Sequence, residues 1–390
     1  MRNKILGLYG ILCLLTIILI LITSFFLFLR YPKTETADEE ITESQTEIPE
    51  TPARHELTLI AAGDNLFHIT IIEKALENGQ YNFEPIYSEI KNIVMSADIA
   101  FINQETVMAG SGFGYSGYPL FNTPQSLAKT LADTGFNIFN LANNHAMDKG
   151  KSGLVATLDY LDTIENITVI GARKTGDSHK IIMKNEITLG FLSYTYGLNG
   201  HALPADSPNL VSIINREKIA TEIAALRPLC DFLIVSLHWG EEYSLIEPNA
   251  YQKNLAAFLS ELNVDLIIGH HPHVLQRAET LERGDGGKTL CFYSIGNFVS
   301  HQREKDRTLG AIMFAVFTKE DEELAIADAG LTPVICHFET GHANTKVYPL
   351  NMYTEESLNK HLVHKTDKGM NLDHFYSVLD RLNTKIKTRY

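Results

Sequence analysis

Short apolar runs alternate along the chain with longer segments whose apolar residues recur about every 3.6 positions. The short runs predict buried strands, and the longer segments predict helices with one apolar face. The strand-like runs are 57-LTLIAAG-63, 98-DIAFIN-103, 137-NIFNLA-142, 167-ITVIGA-172, 187-ITLGFLSY-194, 231-DFLIVSL-237, 265-DLIIG-269 and 290-LCFYSIGN-297. The helix-like segments are 124-PQSLAKTLADTG-135, 152-SGLVATLDYLD-162, 216-REKIATEIAALRP-228 and 249-NAYQKNLAAFLSELN-263. This alternation predicts a layered α/β fold with its site at the carboxyl ends of the strands.

The pattern changes in the last part of the chain. Residues Gly310 to Leu350 contain strand-like pieces with no helix between them, which predicts antiparallel strands. Residues 351–390 are polar and predict a helical tail. The globular domain is therefore expected to span residues 57–350.

The amino-terminal segment has a different character. Ile5 to Leu29 is a nearly continuous apolar run without a charge, long enough to cross a bilayer as a helix. A cleaved signal peptide is the alternative, but its apolar core is shorter and ends in small residues. We therefore expect an uncleaved anchor over residues 1–32. The Glu- and Thr-rich residues 33–56 bury too little apolar surface to fold and predict a disordered acidic linker.

Net charge restricts the classes of partner. The 390 residues carry a formal charge of -14 at pH 7. Binding to nucleic acid without sequence preference requires many Lys and Arg side chains against the phosphates. The charge therefore argues against a nucleic-acid partner, but it permits an anionic ligand held by a local metal cluster, since a bound divalent ion dominates the field of its own pocket.

Polar side chains that can bind metals follow the predicted strands repeatedly. Because parallel strands bring their carboxyl ends to one edge of a sheet, these side chains are expected to meet in one cleft. They are Asp64, Asn103, Glu105, Asn143, Asn144, His145, His238, His270, His271, His273 and Asn297.

Each of these residues also has a purely structural interpretation. An Asp or Asn after a strand commonly caps a helix or forms a turn, and a single buried His is commonly a satisfied core residue. The histidines of 269-GHHPHV-274 are different, because three imidazoles around a proline turn are poor core material and good metal ligands. Together, the mixed nitrogen and oxygen ligands predict divalent ions, two in number, of the Mn, Fe or Zn type.

Six motifs resemble, in order, those of the CapA/PgsA family of poly-γ-glutamate capsule synthesis proteins. That family is similar to the calcineurin-like metallophosphoesterases, so the resemblance implies a two-sheet α/β sandwich with flanking helices, preceded here by one transmembrane helix. The motifs are 61-AAGDNLFH-68, 101-FINQE-105, 141-LANNH-145, 236-SLHWG-240, 269-GHHPHVLQ-276 and 293-YSIGNF-298.

The resemblance also implies roles for individual residues. Asp64 and His273 would bind the first metal, Glu105 would bridge the two ions, and His145 would act as acid or transition-state donor. The second metal would fall to Asn144, His238 and His270. His68 is a candidate in place of the phosphoesterase histidine, whose position holds Leu66. Asn103, Asn143, His271 and Asn297 are expected to line the site, and Asn297 either shapes the rim or only forms a turn.

Two functions follow from the resemblance and the ligand set. The first is a membrane-anchored protein of poly-γ-glutamate capsule synthesis or export, with a cytoplasmic amino terminus and the main domain outside the cell. Its expected partners are the cytoplasmic membrane, an anionic polymer such as poly-γ-glutamate, and synthase subunits in the membrane. The second is a stand-alone metal-dependent hydrolase of a cell-envelope component. A third possibility is a fold that binds no metal and works through protein contacts.

Overall fold

The computed structural model describes residues 54–382 and 387–388. The predicted anchor and most of the predicted linker lie outside these residues. Within the described part of the chain, no helix has the length and apolar character needed to cross a membrane.

The described residues form seventeen strands and ten α-helices. In chain order the strands are β1 (Arg54–Asn65), β2 (Leu76–Glu77), β3 (Gln80–Tyr81), β4 (Ile99–Gln104), β5 (Ile138–Asn140), β6 (Thr168–Ile170), β7 (Lys180–Lys184), β8 (Ile187–Thr195), β9 (Phe232–His238), β10 (Leu266–His270), β11 (Leu275–Glu282), β12 (Lys288–Ile295), β13 (Asn297–Val299), β14 (Leu309–Glu320), β15 (Glu323–His337), β16 (Lys346–Pro349) and β17 (Lys387–Thr388). The helices are α1 (Ile69–Lys74), α2 (Glu84–Tyr87), α3 (Lys91–Met95), α4 (Ser126–Thr134), α5 (Gly150–Leu161), α6 (Arg216–Leu226), α7 (Ala250–Glu261), α8 (Glu355–Lys360), α9 (Leu362–Thr366) and α10 (Leu372–Leu382).

Two mixed sheets form the centre of the fold. The larger has the order β16-β15-β14-β1-β4-β5-β6, with β13 beside β1 and β17 beside β15. In it, β1, β4, β5 and β6 are parallel, whereas β14, β15 and β16 continue as antiparallel neighbours. The smaller sheet has the order β11-β12-β10-β9-β8-β7, and its four central strands are parallel. The carboxyl ends of eight parallel strands are thus available to build a site.

The central strands of the smaller sheet are buried on both faces. Along β9, Ile234 belongs to the apolar core shared with the larger sheet, whereas its neighbours Leu233 and Val235 belong to a second core with helices α6 and α7. Strands buried on both faces have continuous apolar sequences rather than alternating ones. Helix α7 begins with a capping box, in which Asn249 and Gln252 satisfy each other's backbone N–H groups.

The structure confirms the predicted α/β layers and each predicted strand and helix. The run at 290–297 divides into β12 and β13, and the antiparallel strands after Gly310 are present. Two differences appear at the boundaries. Strand β1 begins at Arg54, inside the segment predicted as linker, because it pairs with β14 from its first residue. The described part of the helical tail packs on the core through Phe375 and Leu379.

Candidate metal centre

The candidate residues lie where parallel strands of both sheets end. Asp64 is in register with Asn103 of β4 on one side and with Asn297 of β13 on the other. In the smaller sheet, His238 of β9 is in register with His270 of β10. The two sheets therefore contribute their carboxyl ends to the same edge, as the sequence pattern predicted.

A close approach of the backbone fixes Asp64 at this edge. Its N–H donates to the carbonyl of Gly296 over 2.9 Å. The preceding residue, Gly63, has no room for a side chain, because a Cβ atom there would lie 2.0 Å from the same carbonyl oxygen. Glycine at position 63 is therefore a requirement of the site's backbone.

A buried chain of polar side chains orients the Asp64 carboxylate. Ser193 Oγ donates to Asn140 Oδ1 (2.6 Å), Asn140 Nδ2 donates to Asn103 Oδ1 (2.8 Å), and Asn103 Nδ2 donates to Asp64 Oδ1 (2.8 Å). The chain crosses from the smaller sheet to the larger one. Asn103 is thus a positioning residue that touches Asp64. The sequence analysis missed both Asn140 and Ser193: the predicted strand 137–142 ran past Asn140, where β5 ends, and Ser193 lies inside β8.

Glu105 is fully buried, and neither of its carboxylate oxygens accepts a hydrogen bond from the described residues. Its Oε1 lies 3.5 Å from His238 Nε2 and 3.9 Å from His273 Nε2. Leaving a buried carboxylate without partners is costly, so such groups are normally paired or bound to a metal. Glu105 is the clearest sign in this fold of a place for a cation.

The histidines after β10 differ in their surroundings. His270 ends the strand and stacks on Phe101, with ring centroids 5.6 Å apart, and its Nδ1 lies 3.6 Å from Asp64 Oδ1. His271 and His273 have positive φ angles of 97° and 58°, an uncommon conformation outside glycine. His273 Nδ1 lies 3.1 Å from Asp64 Oδ2 and 3.0 Å from Asn297 Oδ1. The turn thereby directs His271 and His273 to the centre.

Three overlapping groups of side chains place one ligand atom from each member within 4.8 Å of the others. They are Asp64, Glu105 and His273; Glu105, His238 and His271; and Glu242, His271 and His273. Glu105 links the first two groups, which is the position expected of a bridging carboxylate. Asn144 stands beside them, because its Oδ1 lies 2.9 Å from His238 Nε2.

The grouping adds His271 to the candidate ligands. His271, expected only to line the site, is a member of two groups, whereas His270 is in none of the three. His270 nevertheless lies on the same face as its register partner His238, its Nδ1 is 3.6 Å from Asp64 Oδ1, and both of its ring nitrogens are buried without a hydrogen-bond partner among the described residues, so it remains a candidate ligand. His68 is also outside the groups; its Nδ1 accepts a hydrogen bond from the N–H of His301 over 3.3 Å.

His145 forms a pair with a carboxylate that the sequence analysis missed. Its Nδ1 lies 2.8 Å from Asp148 Oδ2, which also accepts the N–H of Phe121 over 2.7 Å. Asn143 holds the local turn, since its Oδ1 accepts the N–H of His145 and its Nδ2 donates to the carbonyl of Gln104. The spacing of three residues between His145 and Asp148 was the available signal. The pair fixes which imidazole nitrogen carries the proton.

Asn297 supports the centre rather than only forming a turn. Its Oδ1 faces His273 Nδ1, and its Nδ2 donates to Gln302 Oε1 and to the carbonyl of Arg307, both over 2.9 Å. Because its amide group is held on both sides, it fixes the orientation of the His273 ring.

Burial and neighbouring charges shift the pKa values of the central groups in opposite directions. Burial raises the pKa of Asp64, but the imidazoles of His270 and His273 outweigh it and hold the pKa well below its usual value. Burial and then the negative charge of Asp64 raise the pKa of Glu105 well above its usual value. Burial lowers the pKa of His273, but Glu105 and Asp64 raise it to about 9. These shifts favour a charged Asp64 beside a protonated Glu105.

His238 and His271 favour the neutral form that metals bind. Burial and then the charge of His271 lower the pKa of His238 well below its usual value. Burial and then the charge of His273 lower the pKa of His271 to about 3. Its Nδ1 is buried and makes no hydrogen bond within the described part of the protein. Neutral imidazoles and unpaired carboxylate oxygens form a donor set suited to Mn, Fe or Zn, so the residues present fit divalent metal ions.

Comparison with known proteins identifies relatives over the same region. The chain is 35% identical over 195 residues to the "PGA biosynthesis protein CapA" of Bacillus subtilis, covering 48% of this chain and 49% of that protein. It is 30% identical over 195 residues to the "Capsule biosynthesis protein CapA" of Bacillus anthracis, covering 47% and 46%. The chain therefore matches about half the length of these curated relatives.

Among solved structures, the calcineurin-like phosphoesterase YfkN of Bacillus subtilis superposes with a TM-score of 0.43 and 13% identity, over 84% of this chain and 100% of that one. The family model described as "Bacterial capsule synthesis protein PGA_cap" matches residues 58–302, more than half of the 390 residues. That range contains every residue of the three ligand groups. The chain belongs to the PGA_cap family of bacterial capsule synthesis proteins.

Proposed function

We propose that this protein takes part in making or exporting an anionic capsule polymer, poly-γ-glutamate, and that it does so through a divalent-metal centre. The observation that carries the proposal is the family match over residues 58–302, which encloses Asp64, Glu105, His238, His271 and His273. The names of the relatives from two Bacillus species support the choice of polymer. The apolar run at residues 5–29 supports anchoring in the cytoplasmic membrane, and the acidic stretch that follows it, together with the family, supports a main domain outside.

The metal centre would be held by the three ligand groups, with Asn144 beside His238. When bound, divalent ions supply positive charge that polarises a carbonyl or phosphoryl oxygen. The chain's own residues position these groups: the Asn103 amide orients Asp64, and Asn297 orients His273. His145, held by Asp148, presents its other ring nitrogen as a proton donor or acceptor beside the centre.

Gene deletion and complementation in the source bacterium test this role. Deletion should reduce the amount, length or export of the capsule polymer, and the wild-type gene should restore it. Complementation with the His271→Ala, His273→Ala double variant should fail although the protein is present in the envelope fraction. Unchanged polymer after deletion would refute the proposal, and full rescue by the double variant would refute the metal's part in it.

A stand-alone metal-dependent hydrolase is the second candidate, favoured by the His145–Asp148 pair, which directly follows Asn144, whose Oδ1 lies 2.9 Å from His238 Nε2. The purified chain with Mn, Zn or Fe should then hydrolyse a generic phosphodiester. Asp64→Asn and His238→Ala should abolish turnover, because each removes a central ligand. A folded, metal-loaded protein without turnover would leave the polymer role and exclude this one.

A further inference from the structure

The loop after β9 brings a third carboxylate to the metal centre from the solvent side. We propose that Glu242 is a metal ligand that closes the centre at its mouth, opposite the buried Glu105. This inference rests on the metal-dependent role proposed above, and it adds a residue that neither the strand-end pattern nor the motif resemblance includes.

Distance and burial carry the assignment. A carboxylate oxygen of Glu242 lies within 4.8 Å of ring nitrogens of both His271 and His273. These two imidazoles are 3% and 2% exposed, whereas Glu242 is exposed. His271 Nδ1 is buried and finds no hydrogen-bond acceptor or donor among the residues described. An imidazole nitrogen without a hydrogen-bond partner and a nearby carboxylate oxygen are two groups that can bind the same cation.

The backbone holds Glu242 in place although its side chain faces solvent. The N–H of Tyr243 donates to the carbonyl of Pro272 over 2.7 Å, and the N–H of Trp239 donates to the carbonyl of His270 over 3.1 Å. Both bonds tie the loop to the turn that carries the histidines. The loop starts with Gly240 at a φ of 89°, where a Cβ would meet the Gln252 side chain at 2.6 Å. The carboxylate therefore sits on a fixed backbone.

The number of ligand atoms available indicates that Glu242 binds an ion already held by the first two groups, and not a separate third ion. A neutral imidazole binds one metal through one nitrogen, because its other nitrogen carries a proton. The Nδ1 atom of His273 faces Asn297 and Asp64, which leaves its Nε2 for a single ion. An ion held by Glu242, His271 and His273 therefore shares its ligands with the ions near Glu105.

The exposed position gives Glu242 a distinct part in the centre. Of the six residues in the three groups it is the only exposed one, so it occupies the side from which a substrate approaches. A carboxylate or phosphate group of the substrate would meet Glu242 before it meets the buried ligands. Glu242 is thus the ligand that an incoming oxyanion can replace.

Metal titration of the full-length chain tests the assignment, with Zn²⁺ followed by competition with a chromophoric chelator and Co²⁺ followed by its visible absorption. Glu242→Gln should weaken binding of at least one ion by about tenfold or more, the loss already seen when residues behind metal ligands are changed. It should also alter the Co²⁺ spectrum. The matched control is Glu241→Gln, which removes the same charge from the neighbouring exposed residue outside the groups and should match wild type.

The outcomes separate this inference from the proposed function. If wild type binds metal and Glu242→Gln binds it equally well with the same spectrum, Glu242 is not a ligand and only this inference fails. If both glutamine variants weaken binding equally, the effect is a general one of charge, and the inference again fails. If wild type binds no divalent ion, the proposed metal-dependent role and this inference fail together.

Discussion

Replacing Glu105 by Gln should have opposite consequences in the metal-free and metal-loaded protein. Glu105 is fully buried and its carboxylate oxygens accept no hydrogen bond within the described structure, so Gln, which has nearly the same shape, loses no partner. Gln also resembles the protonated form of Glu105, which burial and the charge of Asp64 favour by raising the pKa of Glu105. Without metal, the free energy of unfolding of the variant should therefore lie within about 1 kcal/mol of the wild-type value, or slightly above it.

Metal should reverse this order. A metal ion at 100 times its dissociation constant stabilises the native state by about 2.7 kcal/mol. For a domain of this size, 1 kcal/mol corresponds to about 1.5 °C in the thermal midpoint. Wild type should gain about 4 °C or more on addition of metal, whereas Glu105→Gln should gain much less because a ligand shared by two groups is lost.

Thermal unfolding with chelator and with Mn²⁺ or Zn²⁺ measures both differences. Asp148→Asn is the matched control, since Asp148 is a buried carboxylate outside the ligand groups whose Oδ2 accepts the N–H of Phe121 and contacts His145. Asp148→Asn should reduce the free energy of unfolding by about 1–3 kcal/mol. The thermal midpoint should therefore fall equally with and without metal. If Glu105→Gln instead behaves like this control, Glu105 is a structural residue and the reasoning from its unpaired oxygens is wrong.

Three further predictions concern the same centre. Metal affinity should rise with pH between about 6 and 9 in calorimetric titrations, because the raised pKa values of Glu105 and His273 (about 9 for the latter) mean that protons compete with the metal at lower pH; a flat profile would contradict this. Gly63→Ala should lose soluble, folded protein because its Cβ would lie 2.0 Å from a carbonyl oxygen, whereas Gly112→Ala, with open space around it, should be tolerated in the same expression and melting assays. His145→Ala should leave the metal content by elemental analysis unchanged, since His145 is in none of the ligand groups; loss of an ion would make it a ligand.

The strands predicted from continuous apolar runs include the most deeply buried ones, such as β4, β9 and β10, since these runs need no knowledge of tertiary contacts. Two strands of the smaller sheet were missed for the opposite reason. Strand β7 lies at the edge of the sheet and is mostly exposed, and β11, at the other edge, is exposed along much of its length. Their sequences are therefore mixed in polarity, and only their pairing with β8 and β12 makes them strands.

The site was predictable as far as strand ends define it. The topology of parallel strands brings Asp64, Glu105 and His238 together whatever the loops do. The place of His271 in the ligand groups was not predictable, because it depends on the residue at which β10 ends and on the positive φ of His271. Glu242 was missed because an exposed glutamate in a loop has the same sequence signature as a solvated one.

The charge of the protein limits how it could handle an anionic polymer. A protein with a formal charge of -14 repels poly-γ-glutamate. At physiological ionic strength, salt screens this repulsion at distances beyond about 8 Å. Divalent ions among Glu105, His271 and His273 would act only within a similar range. Under the proposed role, attraction to the polymer is therefore confined to the mouth of the centre, where Glu242 lies, so a variant that cannot bind metal should also fail to bind poly-γ-glutamate.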